Sequence, residues 1–242
     1  LLADVLRRPR LDRRALRRVR GELRSWALQR RADPHALADL ALARAVFGGQ
    51  LYGRPRLPLP TSLGRCLSRR AVASLHRRSY RPERVALLAT GAVTMAELLR
   101  LLEPRFGRWR KRGKRRGARP ATSSKGVPKR GPRLVLVDIP GASQAVVRVG
   151  GLSPGWRGGR GLADVAAMRL LALVLGGSFT SRLNQNLRER HGFGYGAEAS
   201  FVLRHRIGLL RISSAVSAKD VVRAVEQILL EVDKLSTKRV GR

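Results

Sequence analysis

Cysteine is almost missing from this sequence. Cys66 is the only one, so no internal disulfide and no thiolate metal cluster can form within the chain. Acidic residues are scarce as well, 16 Asp and Glu against 51 Lys and Arg, which leaves a formal charge of +35. No unbroken apolar run reaches the roughly 20 residues of a membrane span, and no signal peptide is recognisable. The histidines are His35, His76, His191 and His205. None pairs with another at i+4, and neither HxxEH nor HxxH occurs. Zinc needs ligands that converge on one point, so these histidines read as surface or satisfied residues. GxSxG is absent, and Cys66 in "GRCLSRR" has no assignable base, which makes it a structural thiol. "GWRGGRG" lacks the Lys-Ser/Thr ending of a phosphate cradle.

The charge itself is the first thing present in excess. Arginine greatly outnumbers lysine and is scattered along every segment, and the sequence pI is near 12.0. Such a field draws in polyanions, and non-specific polyanion binding at low salt is expected. A specific nucleic-acid module would need its basic residues on one face; the stretch "RWRKRGKRRGARP" keeps that alternative open. At 242 residues and 43% hydrophobic content, the chain can bury a core in one large domain or two small ones.

Apolar spacing predicts a helix from Asp12 to Arg31, with Asp12 as N-cap, and a second from Pro34 that ends at Gly48-Gly49. Ser68 is placed to cap "SRRAVASLHRRSY", and Thr94 with Glu97 forms a capping box before "MAELLRLLEPRFG". "RVALLATG", "RLVLVDIP", "SQAVVRVGG", "YGAEASFVLRH" and "RIGLLRISSAV" read as strands. "GLADVAAMRLLALVLGG", "SRLNQNLRERHG" and "SAKDVVRAVEQILLEVDKL" read as helices, the last capped by Ser217 with Asp220 in its first turn. The expected fold is α+β in two layers. A basic Gly/Pro/Ser-rich linker over residues 110–133 separates residues 1–109 from residues 134–242. The chain opens at Leu1 inside helical sequence and ends in "KLSTKRVGR", and it is read as a piece of a longer protein.

"RHGFGYG" raises an RNA-binding reading, since Gly192, Phe193, Gly194 and Tyr195 match an RNP1-like octamer. His191, Gly196 and Glu198 break the pattern, and no companion strand occurs. Gly192 has a simpler use, as the left-handed residue that ends a helix.

The longer stretch "GGSFTSRLNQNLRERHGFGYGAEASF" resembles the second-half motif of the M16 zinc metallopeptidases, the pitrilysin and mitochondrial-processing-peptidase superfamily, and in particular its bacterial short-chain branch. "FGGQLYGRPRLPLPTSLGRCLSRRAVASLHRRSYRPERVALLATGAV" and "PGASQAVVRVGG" resemble further segments of that family in the same order. The resemblance implies two similar α/β repeats around a peptide-binding chamber, here a partial first and a partial second repeat. In active members an inverted HxxEH in the first repeat supplies two zinc histidines and a glutamate base, and a later glutamate completes the site. The second repeat gives an arginine and a tyrosine that bind the substrate backbone, and Arg188 and Tyr195 fall on those positions.

The zinc motif would lie upstream of Leu1. The later glutamate aligns with Trp26, and Glu22 sits four residues early. Tryptophan cannot ligate zinc, and its indole is expected to fill a core. Ala92 in "TGAVT" is a smaller departure, where the family tends to an acidic residue. The resemblance therefore implies a zinc-deficient subunit that binds no metal alone and supplies Arg188 and Tyr195 to a catalytic M16 partner or a second copy. Zinc is then expected in that partner or in an upstream region. The alternative is the C-terminal portion of an active zinc metalloendopeptidase. Acidic peptides are the expected substrates if arginines line the chamber, and export to a bacterial periplasm is the compartment that the branch implies.

Overall fold

A computed structural model of the chain describes residues 1–55, 67–109, 131, 133–156 and 161–237. Cys66, most of the basic linker and the centre of "GWRGGRG" lie outside the described residues. Contacts divide the chain into two units, Leu1–Gln29 with Leu57–Arg119, and Arg30–Arg56 with Pro120–Arg242.

The first unit is helical. Its elements are α1 (Leu2–Arg7), the greater part of α2 (Arg13–Ala32), α4 (Arg69–Ser79) and α5 (Met95–Phe106). The caps sit where the sequence put them. Asp12 accepts from the Arg14 and Ala15 amides, each at 3.3 Å, Ser68 accepts from Ala71 N–H at 3.2 Å, and Thr94 and Glu97 form the reciprocal box. Arginines then tie the helices together through backbone carbonyls. Arg20 donates twice to Leu67 O, at 3.0 and 2.7 Å, and Arg69 donates to Leu11 O at 3.0 Å. Because α4 buries no residue fully, its cap carries a large share of its local stability. Ser68→Ala is expected to cost about 1 kcal/mol, read as a lower urea midpoint for loss of helical signal.

Two predicted strands are absent here. "RVALLATG" and "RLVLVDIP" run without regular structure, and Leu88 is 90% exposed. Their composition suits a pleated sheet, but a strand exists only where a neighbour completes its hydrogen-bond ladder. Among the described residues neither segment has one.

The second unit holds a three-stranded antiparallel sheet in the order β1 (Gln144–Pro154), β3 (Ile207–Ser217), β2 (Gly194–Leu203). The other three predicted strands thus form. Period-2 alternation puts Val147, Ala199, Ile212 and Val216 on one face. There they meet Leu175, Leu183, Leu187, Ala224 and Ile228 from the covering helices. Those helices are α6 (Leu162–Ala172), which runs on as a π-helical turn Leu173–Gly177, and α7 (Arg182–Asn184), which runs on as a second π-helical segment, Gln185–Arg190. The last is α8 (Val221–Thr237). Ser217 stands at the expected N-cap position but makes no side-chain capping bond. The first turn is a 3-10 turn, Ala218–Asp220, whose tighter geometry takes the place of the cap. On the other side of β1 lies α3 (Pro34–Phe47), capped by Asp33 through His35 N–H at 2.9 Å.

Among the described residues, one run, Leu162–Arg190, is by length and composition apolar enough to cross a membrane. Asp164 and Arg169 interrupt it, so a search for unbroken apolar stretches passes over it. The run breaks at residues 178–181 and buries Leu175, Leu183 and Leu187 beside the sheet, while Leu162, Leu170 and Phe179 are exposed.

Candidate functional site

The outer end of this sheet forms an open cleft of about 620 Å³, and Arg188 and Tyr195 both line it. Arg188 comes from the π-helical segment. There the hydrogen bonds widen, with His191 N–H donating to Asn186 O at 3.2 Å and Phe193 N–H to Leu187 O at 2.9 Å. A π turn shifts the helical face by an extra residue, a local irregularity frequent at functional positions. Gly192 ends the segment with φ 62°, the left-handed conformation its place in the sequence called for. The chain can therefore reverse at once into β2.

Tyr195 is 92% exposed at the start of β2. Gly194 pairs with Val216 and Ala197 with Ser214, so two residues, Tyr195 and Gly196, oppose the single Ala215. This is a β-bulge, a device that re-aims a side chain at the edge of a sheet. Gly196 has φ 148°, which an L side chain rarely adopts. Its carbonyl accepts from Ser214 Oγ at 2.8 Å.

The Arg188 guanidinium carbon lies 3.7 Å from the centroid of the Phe179 ring, and Nε is 3.3 Å from Glu189. Attraction to a ring face holds a guanidinium without consuming its donors. The remaining N–H groups are of the kind that grip carbonyl or carboxylate oxygens.

Beside the pair, a row of alternating charge crosses the sheet. Arg148 on β1 donates to Asp39 of α3 at 2.6 Å and approaches His35 Nδ1 at 3.2 Å. Arg211 on β3 reaches Asp39 at 3.7 Å and Glu198 of β2 at 3.8 Å. Its buried Nε has no hydrogen-bond partner. These contacts tie α3 to β1: a paired Arg148, 8% exposed, is tolerated there because Asp39 and His35 satisfy it.

The two residues considered for zinc behave differently. Trp26 is 56% exposed on α2, so it does not fill a core as expected. The face of α2 that turns inward carries Leu16, Arg20 and Leu23, half-buried, and Ala27, the residue it buries. Glu22 pairs with Arg18 at 2.6 Å. Indole offers no lone pair to a metal, and no three His, Cys, Asp or Glu side chains converge among the described residues. The residues described do not fit a zinc centre.

Sequence reasoning missed Phe179, Asn184 and the Asp39–Arg148 pair. The one available signal was Asn184, because asparagine inside a helix competes with the backbone and is retained for a reason. Phe179 lies across a helix break from Arg188, where no periodicity connects them.

Comparison with known proteins accords with this architecture. The family described as Peptidase M16 inactive domain matches residues 67–241. An uncharacterized zinc protease of Mycobacterium tuberculosis is 34% identical over 206 residues, covering 83% of this chain and 44% of that protein. The chain thus spans less than half the length of the curated relatives it matches. Among solved structures, the peptidase M16 inactive domain from Pseudomonas fluorescens superposes with a TM-score of 0.76 at 19% identity, over 99% of this chain and 56% of that one. A protease from Helicobacter pylori gives 0.82 at 14% identity, over 96% and 54%. These two likenesses are likenesses of fold. With the family match running over most of its length, the chain belongs to the M16 peptidase family, through that family's inactive domain.

Proposed function

We propose that this chain is a zinc-deficient subunit that completes a catalytic M16 partner's site, with Arg188 and Tyr195 binding the substrate peptide. The observation that carries this reading is that the pair shares one open cleft, the tyrosine almost wholly exposed and the guanidinium seated on Phe179. A guanidinium binds peptide carbonyls in ground and transition state alike. Arg148 and Arg211 also line the cleft but are paired with Asp39 and Glu198, so a preference for acidic over basic peptides rests on Arg188.

The test is kinetic. In the assembled peptidase, Arg188→Ala should raise KM about tenfold with little change in kcat, the signature of lost uniform binding. An unchanged KM removes Arg188 from the substrate site. A second reading has a specific support: the M. tuberculosis relative is named a zinc protease, and the match covers 44% of it. In that case the chain is the C-terminal portion of a polypeptide that carries its own zinc upstream. Metal analysis of the full-length polypeptide separates the two, since one zinc per chain with activity alone favours the second.

A further inference from the structure

We propose that Asn184 is a positioning residue for Tyr195 and Arg188, acting through the Gly196 bulge. The proposal rests on the substrate-binding reading of that pair. Asn184 is buried, and both ends of its carboxamide are used. Nδ2 donates to Ser178 O at 2.8 Å and to Ser181 Oγ at 3.0 Å, and Oδ1 accepts from Ala197 N–H at 2.8 Å. These anchors belong to three separate pieces of chain: the end of the π turn after α6, the start of α7, and the bulged strand β2. One side chain therefore fixes the base from which Phe179 and Arg188 rise to the base from which Tyr195 projects.

Gly196 is the counterpart of this contact. A Cβ on Gly196 would lie 2.5 Å from Asn184 Oδ1, closer than any side-chain carbon can approach. The asparagine oxygen thus occupies the space that the missing side chain leaves. In the bulge, Tyr195 is the residue thrown outward, and Ala197 is where β2 rejoins its register with Ser214. A hydrogen bond placed on Ala197 N–H pins the point at which the strand becomes regular. It thereby sets the direction of the residue two positions earlier. Without it, the bulge is free to shift along β2.

The experiment compares Asn184→Leu, which keeps the volume without hydrogen bonds, with Asn184→Asp, which keeps the oxygen acceptor. Each is made in the full chain, alone and together with Arg188→Ala. Two quantities are read: amide exchange at Ala197, and affinity of the assembled peptidase for a fluorescein-labelled glutamate-containing peptide. Asn184→Leu should abolish slow exchange at Ala197 and weaken peptide binding about tenfold, a loss typical of misplaced binding groups. Asn184→Asp should retain both. In the Arg188→Ala background, Asn184→Leu should weaken binding little further. Unchanged exchange at Ala197 overturns the proposal, and so does an equal loss of affinity in both backgrounds, which marks a merely structural role. If Arg188→Ala leaves peptide affinity unchanged and Tyr195→Phe leaves kcat unchanged while Ala197 exchange still depends on Asn184, the substrate reading has failed. The positioning role falls with it, and only a bulge contact remains.

Discussion

Tyr195→Phe should lower kcat of the assembled peptidase about 100-fold, with the stability of this chain unchanged. The two halves of that expectation have separate physical origins. Stability is untouched because the ring is 92% exposed and the substitution removes one oxygen from solvent, not from a core. Surface changes of that kind fall within about 0.5 kcal/mol of neutral. The rate effect follows from what a phenol hydroxyl can do beside a peptide carbonyl. As the carbonyl is attacked, its oxygen gains charge, and a donor already aimed there stabilises the transition state more than the ground state. Loss of one such donor costs about 100-fold to 1,000-fold in kcat. Arg188, by contrast, is expected to act on KM, so the two variants separate positioning of the peptide from stabilisation of charge. The measurement is steady-state kinetics of the catalytic partner saturated with wild-type or variant chain, alongside thermal unfolding of the chain alone. A fall in kcat with a matching fall in melting temperature would place Tyr195 in the fold, not the chemistry.

How far the sequence anticipates this site depends on the kind of contact involved. Caps at Asp12, Ser68 and Thr94 are local, so the residues that make them are neighbours in the sequence and are legible there. The glycine at 192 is legible for the same reason. β1, β2 and β3 are recognisable because alternation and partner agree, whereas "RVALLATG" and "RLVLVDIP" carry strand composition without a described partner. Arg188 and Tyr195 are singled out by a resemblance, since nothing in their spacing alone says that a π-helical segment and a bulge bring them to one cleft. Asn184 and Asp39 act across 13 and 109 residues of chain. Contacts of that range leave no periodic trace. Trp26 illustrates the opposite error, where a large apolar side chain is expected inside but the helix turns a small alanine inward instead.

The π-helical segment that carries Arg188 also has to be held from behind, and one carboxylate does most of this. Glu231 of α8 is 4% exposed. It accepts from Asn186 Nδ2 at 2.9 Å, from Arg182 Nε at 3.0 Å and from Lys234 Nζ at 2.9 Å. Burial pushes its pKa up, but the hydrogen bonds from Lys234, Asn186 and Arg182 outweigh that and hold the carboxyl below its ordinary range. A group with a depressed folded pKa stabilises the fold fully above its unfolded value, about 4.3 for Glu. That contribution is lost as pH falls through the folded value, because the unfolded chain takes up the proton first. At pH 7, Glu231→Gln should therefore destabilise the chain by about 2 kcal/mol. Bonds to a charged partner are worth about 1.5–3 kcal/mol, and Arg182 and Lys234 remain partly open to water. As pH falls below about 4.3 the gap between wild type and variant should narrow, and it closes once the folded carboxyl is itself protonated. Urea unfolding of the two proteins at neutral and acid pH measures this directly. A gap that stays constant across the range would mean that shape, and not charge, is what Glu231 supplies. A gap that closes would mean that acid loosens α8 from Asn186, and with it the segment on which Arg188 stands.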